Sequence, residues 1–346
     1  MNIPSKFLSF ILVATILFSC DKSDNDTVEL RDYQEQYITD LANIEEYMKT
    51  HYMTVVNNPG QADDMDVVFT KIPEGGSQVS IWNQTDYPIQ TREITVTQNE
   101  VDVNYKIYFL KLREGSGQKP CNVDNILSGY RGEYIYKETT TEDDGSSTTE
   151  VLGKQFEENK NPQTYLSLYG GVIRGWSEIF PQFKTGTYSE NPDGTISYND
   201  FGAGVMFIPS GLAYFGTSRS TIPAYSPLVF TIKLFELQRT DQDGDGILSY
   251  LEDLNGDGYM NFLEEGVVNP DDTDGDEIPD FLDSDDDNDD AAIGYSSYAS
   301  ASVIGYIIGS FITEIVGNFD LLGIPSGLPA LVFLIPSMLV AVTLIV

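Results

Sequence analysis

Apolar residues recur in different rhythms along the 346 residues, and each rhythm predicts a different kind of element. Between Val28 and Tyr52, Leu30, Tyr33, Tyr37, Leu41, Ile44 and Met48 return at steps of three and four with no glycine or proline among them. This predicts a helix of about six turns with one buried face, to be covered by the following domain or, failing that, a second copy. His51, the only histidine, falls at its end and is expected on the surface near the helix C-terminus. Residues 57 to 103 mix Pro, Gly and Asn with short alternations such as Arg92-Glu93-Ile94-Thr95-Val96, predicting loops with one or two strands. From Val101 to Leu112 the alternation sharpens and places Tyr105, Ile107 and Phe109 on one strand face. Short strands and turns follow, with one helix around Trp176 to Phe183. The pattern alone describes an antiparallel α+β domain.

The two ends depart from this pattern. Lys6 and the apolar run Phe7–Phe18, too short to span a bilayer comfortably, form an export signal. The run closes in Leu17-Phe18-Ser19-Cys20, which resembles a bacterial lipobox. That resemblance implies lipidation of Cys20 and a membrane-anchored lipoprotein, periplasmic or at the cell surface, with an outer membrane as the expected one. An ordinary signal peptide or an uncleaved anchor is the alternative. Residues 21–27 are a polar tether, and with Cys20 lipidated Cys121 has no partner for an internal disulfide. In residues 291–346 only Glu314 and Asp320 are charged, and Leu321–Val346 is long enough to cross a membrane. No Lys or Arg follows Arg239, so the usual orienting charges are missing and an aberrant C-terminus competes with a membrane segment.

Charge narrows the function classes. A formal net charge of -35 without a segregated basic patch sets nucleic acid aside as a partner. A single histidine argues against Ser-His-Asp and Cys-His catalysis and against multi-histidine zinc sites. Residues 241–290 hold 20 Asp or Glu and no Lys or Arg. Within them Asp241, Asp243, Asp245, Ser249 and Glu252 are spaced as the oxygen ligands of a twelve-residue calcium loop, with the Ile247 carbonyl and the turn residue Gly246 between them. Asp253, Asn255, Asp257, Asn261 and Glu264 repeat the pattern, with Tyr259 in the carbonyl position. Asp272, Asp274, Asp276, Asp280 and Asp283 form a third copy in which Glu277 replaces the turn glycine. Asp253 follows Glu252 directly, leaving no room for helices flanking each loop, and the copies resemble type 3 thrombospondin repeats. That implies bound Ca2+ and a segment that is extended without calcium and compact with it, used as a spacer or docking element. A disordered acidic linker is the plain alternative.

Three stretches inside residues 104–239 resemble the FKBP family in order and spacing. The first is Tyr130-Arg131-Gly132, followed after an insertion by Gly153-Lys154-Gln155-Phe156-Glu157. The second, the most specific, is Gly171-Val172-Ile173-Arg174-Gly175-Trp176. The third runs from Ile208-Pro209-Ser210-Gly211-Leu212-Ala213-Tyr214 through Ile222-Pro223 to Leu228-Val229-Phe230-Thr231-Ile232. Lys137–Val151 and Tyr188–Gly202 look like insertions. The resemblance implies a bent antiparallel sheet around a short helix, preceded by the N-terminal helix and followed by the repeat segment. The chain would then divide into a signal peptide (1–20), a tether, helix and loop/strand region (21–103), the isomerase domain (104–239), the acidic repeats (240–290) and the apolar tail (291–346).

It also implies peptidyl-prolyl cis-trans isomerase activity on proline-containing exported polypeptides, with no cofactor for catalysis. By the same resemblance Trp176 floors a pocket walled by Tyr130, Phe156 and Phe230 and edged by Val172, Ile173 and Ile222. The Ile173 N–H would hold a substrate carbonyl and Tyr214 would donate from a flap. Glu157 stands where the family has aspartate, and near Gln163 the family commonly supplies another aromatic. Three readings therefore stay open, along with the oligomeric state: an isomerase, a non-catalytic binding or chaperone module on the same pocket, and a calcium-dependent adhesion or spacer protein. Simple core packing is the default account of aromatics on strands.

Overall fold

The computed structural model describes residues 30–263 and 266–287. The expected export signal, Cys20, Glu264 and the apolar tail lie outside them, and no described helix is long and apolar enough to cross a membrane. Asp32 opens helix α1 (Tyr33–Thr50), its carboxylate accepting the Glu35 N–H at 2.9 Å as an N-cap does. The helix stops short of Tyr52 because His51–Val55 leaves as strand β1 and pairs antiparallel with β2 (Val67–Lys71). His51 is accordingly buried rather than on the surface. Its ring stacks on Tyr47 at 4.0 Å, and burial lowers its pKa.

The main sheet uses β3 (Ile89–Gln98), β4 (Val101–Arg113), β5 (Asn125–Thr141), β6 (Ser147–Asn159), β7 (Leu166–Ser167), β10 (Gly202–Ile208) and β11 (Leu228–Gln238). Their order is β3-β4-β10-β11-β5-β6, antiparallel throughout, with β7 paired to β5. Helix α2 (Arg174–Ile179) crosses one face, and β8 (Thr187–Glu190) with β9 (Ile196–Asn199) forms a separate hairpin. The architecture is mostly antiparallel sheet with few helices. Of the two stretches that look like insertions, residues 137–151 prolong β5 and β6 into one hairpin, and residues 188–202 hold β8, β9 and the start of β10.

Alternation along the strands sends side chains to two cores. On one face Ile107, Phe109, Met206, Ile208, Phe230 and Ile232 pack with Trp176 and Ile179 of α2. On the other, Tyr108, Leu110, Val205, Phe207 and Val229 pack with Ile44, Tyr47 and Met48 of α1. The apolar stripe of α1 is thus covered by its own domain. Each fully buried side chain of this size contributes about 2 kcal/mol, enough to hold α1 against the sheet.

Candidate functional site

Gly175 lets α2 settle on β10, since a Cβ there would lie 2.5 Å from Ile208, and Trp176 is thereby pressed toward the sheet. The Trp176 ring meets Tyr130 at 5.0 Å and Phe230 at 5.1 Å edge-on, and Phe180 at 5.2 Å in a tilted contact. Phe156 closes the row from β6, 5.7 Å from Phe230 and perpendicular to it. The pairing register explains the glycine of Tyr130-Arg131-Gly132. Gly132 lies opposite both Phe230 and Glu157, and a Cβ on it would fall 2.4 Å from Phe156 and 2.8 Å from Phe230. Edge-to-face pairs of this kind contribute about 1 kcal/mol each beyond the area they bury.

Val172, Ile173 and Tyr214 are half-buried around this cluster and Ile222 is buried in it. Glu157 is exposed, yet its carboxylate accepts the Tyr130 hydroxyl at 2.9 Å, so the longer stem still reaches the aromatic cluster. Burial, then the Glu157 bond and charge, push the Tyr130 hydroxyl up to about 12. Gln163 stays outside, its amide bonded to the Asn161 and Pro162 carbonyls. Ile173 precedes the first turn of α2 in an extended conformation, and its N–H has no partner among the described residues. Trp176 Nε1 is buried and likewise unpaired. The site therefore offers apolar walls and a few free donors. Among the described residues named around it there is no nucleophile–base pair.

Sequence reasoning missed how residues 210–225 are held. Asp40 of α1 is fully buried; its carboxylate accepts the Ser210 N–H at 2.7 Å and the Gln36 amide at 2.6 Å. Tyr33 stacks on Phe215 at 3.8 Å, and the Arg31 guanidinium lies 4.2 Å over Tyr225. Residues 210–225, which carry Tyr214 and Ile222, are thus strapped to the N-terminal half of α1. Two polar residues, Gln36 and Asp40, four apart within an aromatic stripe are the signal that could have revealed this.

The acidic segment folds against the same domain beneath α2. Tyr259 donates its hydroxyl to the Glu178 carbonyl at 2.8 Å and accepts from Gln182 at 2.7 Å, while Arg92 covers its ring. Asn122 and Met260 exchange two hydrogen bonds of 2.8 and 2.9 Å, and Arg239 pairs with buried Asp124 at 2.6 Å. Cys121, Val123, Met260 and Phe281 form a small core between segment and domain. Cys121 is a free buried thiol whose pKa is pushed up to about 12, first by burial and then by Asp124.

Asp241, Asp243 and Asp245 converge, as do Asp272, Asp274 and Asp276. Gly246 and Gly258 take the left-handed turn conformation (φ +103° and +89°), and Glu277 adopts it at +77° where the third copy lacks glycine. In the second copy Asp253 accepts the Gly258 N–H at 2.8 Å, and Asn255 and Asp257 bind turn N–H groups. Ile247 is exposed, and the Asn261 amide bonds the Tyr259 carbonyl. Ser249 accepts the Gln242 N–H, Asp280 accepts two bonds from Thr273, and Asp283 accepts the Asp285 N–H. Glu252 is buried beside Asp243 and, from far along the chain, Asp286. Burial, then repulsion from Asp243 and Asp286, pushes its carboxyl up to about 8. Asp271, also absent from the spacing pattern, ties the third copy to the second by accepting the Leu254 N–H at 3.0 Å.

A family model, BamM C-terminal, matches residues 242–295. That is the acidic segment and little else. No curated protein matches the chain. Among solved structures, a peptidyl-prolyl cis-trans isomerase from Pseudomonas syringae is 25% identical, with a TM-score of 0.27 over 38% of this chain and 76% of that one. FkpA from Escherichia coli is 24% identical (TM-score 0.27; 42% and 51% covered), and the N-terminal domain of FKBP42 from Arabidopsis thaliana 13% (TM-score 0.27; 44% and 99%). With TM-scores at this level the structural likenesses carry no weight by themselves.

Proposed function

We propose that residues 104–239 form an FKBP-type peptidyl-prolyl cis-trans isomerase, acting on X-Pro bonds of exported polypeptides and tethered through a lipid on Cys20. The observation that carries this reading is the meeting of Trp176, Tyr130, Phe230 and Phe156 beside the unpaired Ile173 N–H. Rotation about an X-Pro bond faces a barrier of about 20 kcal/mol because the amide has partial double-bond character. The twisted amide loses resonance and charge separation, so it needs less solvation than the planar one. A dry aromatic pocket that holds the proline ring favours it without any nucleophile, acid or metal. In this reading the Ile173 N–H holds the preceding carbonyl, and Tyr214 donates from the strapped flap.

The acidic segment has the chemistry of a calcium-binding element. Its donors are hard oxygens on Asp241, Asp243 and Asp245 and on Asp272, Asp274 and Asp276, converging on turns set by left-handed residues. Calcium there would neutralise mutually repelling carboxylates and play no part in catalysis.

One observation favours a binding module instead: Trp176 and Phe230 are each only 4% exposed, so the pocket is shallow for a proline ring. Refolding of an unfolded protein whose slow phase is limited by X-Pro isomerisation separates the two. Acceleration of that phase at catalytic amounts of the chain supports the enzyme. Capture of the unfolded protein with an unchanged phase supports the binding module.

A further inference from the structure

Four carboxylate oxygens in the acidic segment are buried and receive no hydrogen bond from any described residue: Oδ2 of Asp243, both oxygens of Glu252 and Oδ1 of Asp286. Glu252 is 3% exposed, and ligand atoms of the three residues lie within 4.8 Å of one another. Elsewhere in the segment carboxylates are occupied by turn amides. Asp241 accepts the Gly244 and Gly246 N–H groups, and the other oxygen of Asp243 accepts the Asp245 N–H at 3.2 Å. The four oxygens therefore stand apart as an acceptor-only cage. Residues 241–290 contain no Lys or Arg to answer it, and Arg239 is already paired with Asp124. Burying like charges together costs several kcal/mol per ion unless a counter-charge is supplied. A hard divalent cation that takes six to eight oxygens fits such a cage and supplies the missing counter-charge.

We propose that Asp243, Glu252 and Asp286 hold one calcium-class cation, distinct from the ion of the Asp241–Asp243–Asp245 trio, with Asp243 bridging the two. This rests on the segment binding calcium at all, but it goes beyond any loop read from spacing. Glu252 closes a site with a carboxylate from the far end of the segment instead of completing a contiguous twelve-residue loop. The ion fastens residue 243, just past β11, to residue 286, so the acidic segment is a ring closed by metal and not a string of independent loops. Its root is anchored on the domain by Arg239 and by Asn122 with Met260.

The test uses the full chain, stripped by a chelator and titrated with Ca2+ by calorimetry, with digestion by a Glu-specific protease in parallel. Asp286→Asn is expected to lose one bound ion, or at least tenfold affinity at one site, and to leave the segment open to cleavage at calcium levels that protect the parent chain. Asp274→Asn, in the separate trio, is expected to lose its own ion while keeping that protection. Equal stoichiometry, affinity and protection in Asp286→Asn overturn the ring. A parent chain that takes up no Ca2+ overturns the calcium reading of the whole segment and this inference with it, so the two failures are told apart.

Discussion

Trp176 and Glu252 are buried to the same depth, 4% and 3% exposed, in neighbouring parts of one molecule, yet their surroundings have little in common. Around Trp176 the neighbours are Tyr130, Phe180 and Phe230, which cover one another by apolar contact, so apart from the unpaired Nε1 donor nothing charged is called for. Around Glu252 the neighbours are more carboxylates. Burial in the first region is its own reward through the hydrophobic effect, whereas in the second it is a cost that something charged and external must offset. The aromatic cluster is therefore expected to be indifferent to ions and sensitive to shape, and the acidic segment the reverse.

Four substitutions and one chelation would break or sharpen that contrast. Trp176→Ala removes the centre of the aromatic row and is expected to cost about 3–5 kcal/mol in chemical denaturation and to abolish isomerase acceleration, with calcium uptake unchanged. Next comes Asp40, whose carboxyl is raised from 3.8 to about 6, chiefly by burial. Folding therefore favours its protonated form. The stability so gained is fully present below the unfolded value and lost as pH rises through 6, a swing of about 3 kcal/mol. Measured by denaturation across pH 4 to 7, the stability of the parent chain relative to Asp40→Asn is expected to fall by that order as pH rises.

Chelation is expected to remove about 2.7 kcal/mol per site at calcium one hundred times the dissociation constant, read as loss of protection in the acidic segment while the sheet amides stay slow to exchange. Gly132→Ala drives a methyl into Phe156 and Phe230 and should cost about 1–3 kcal/mol, read from the denaturation midpoint. Glu157→Gln is expected to have the smallest effect. It keeps an acceptor for the Tyr130 hydroxyl and loses only charge at an exposed site, for about 0.5 kcal/mol or less in stability and little change in rate.

What the sequence made legible follows the range of the interactions involved. The α1 stripe and the β4 alternation were readable because both periodicities are local, and Tyr105, Ile107 and Phe109 do share one core. The end of α1 was not, because β1 is created by pairing with β2 across a loop, a tertiary contact that overrides the helical rhythm around His51. Residues 137–151 stand out in the sequence only as a polar stretch, and their pairing as the ends of β5 and β6 is not visible there. Their threonines meet across the hairpin, Thr139 with Thr149 at 2.8 Å and Thr141 with Ser147 at 3.0 Å. In the candidate site, motif order brought eight of the nine named residues into one cluster with Glu157 at its rim, while the strap through Asp40 stayed hidden. Spacing likewise picked out the two carboxylate trios, but the partnership of Glu252 with Asp286 spans the whole segment and leaves no periodic trace.

The most direct test of the pocket is the cis–trans exchange rate of an X-Pro peptide, measured by NMR exchange spectroscopy with the full chain, with Trp176→Ala, and with chelator added. Acceleration by the parent chain, none by Trp176→Ala, and acceleration that persists after chelation are the expected results. Exchange no faster than in the free peptide, or equally fast with Trp176→Ala, would contradict the isomerase reading.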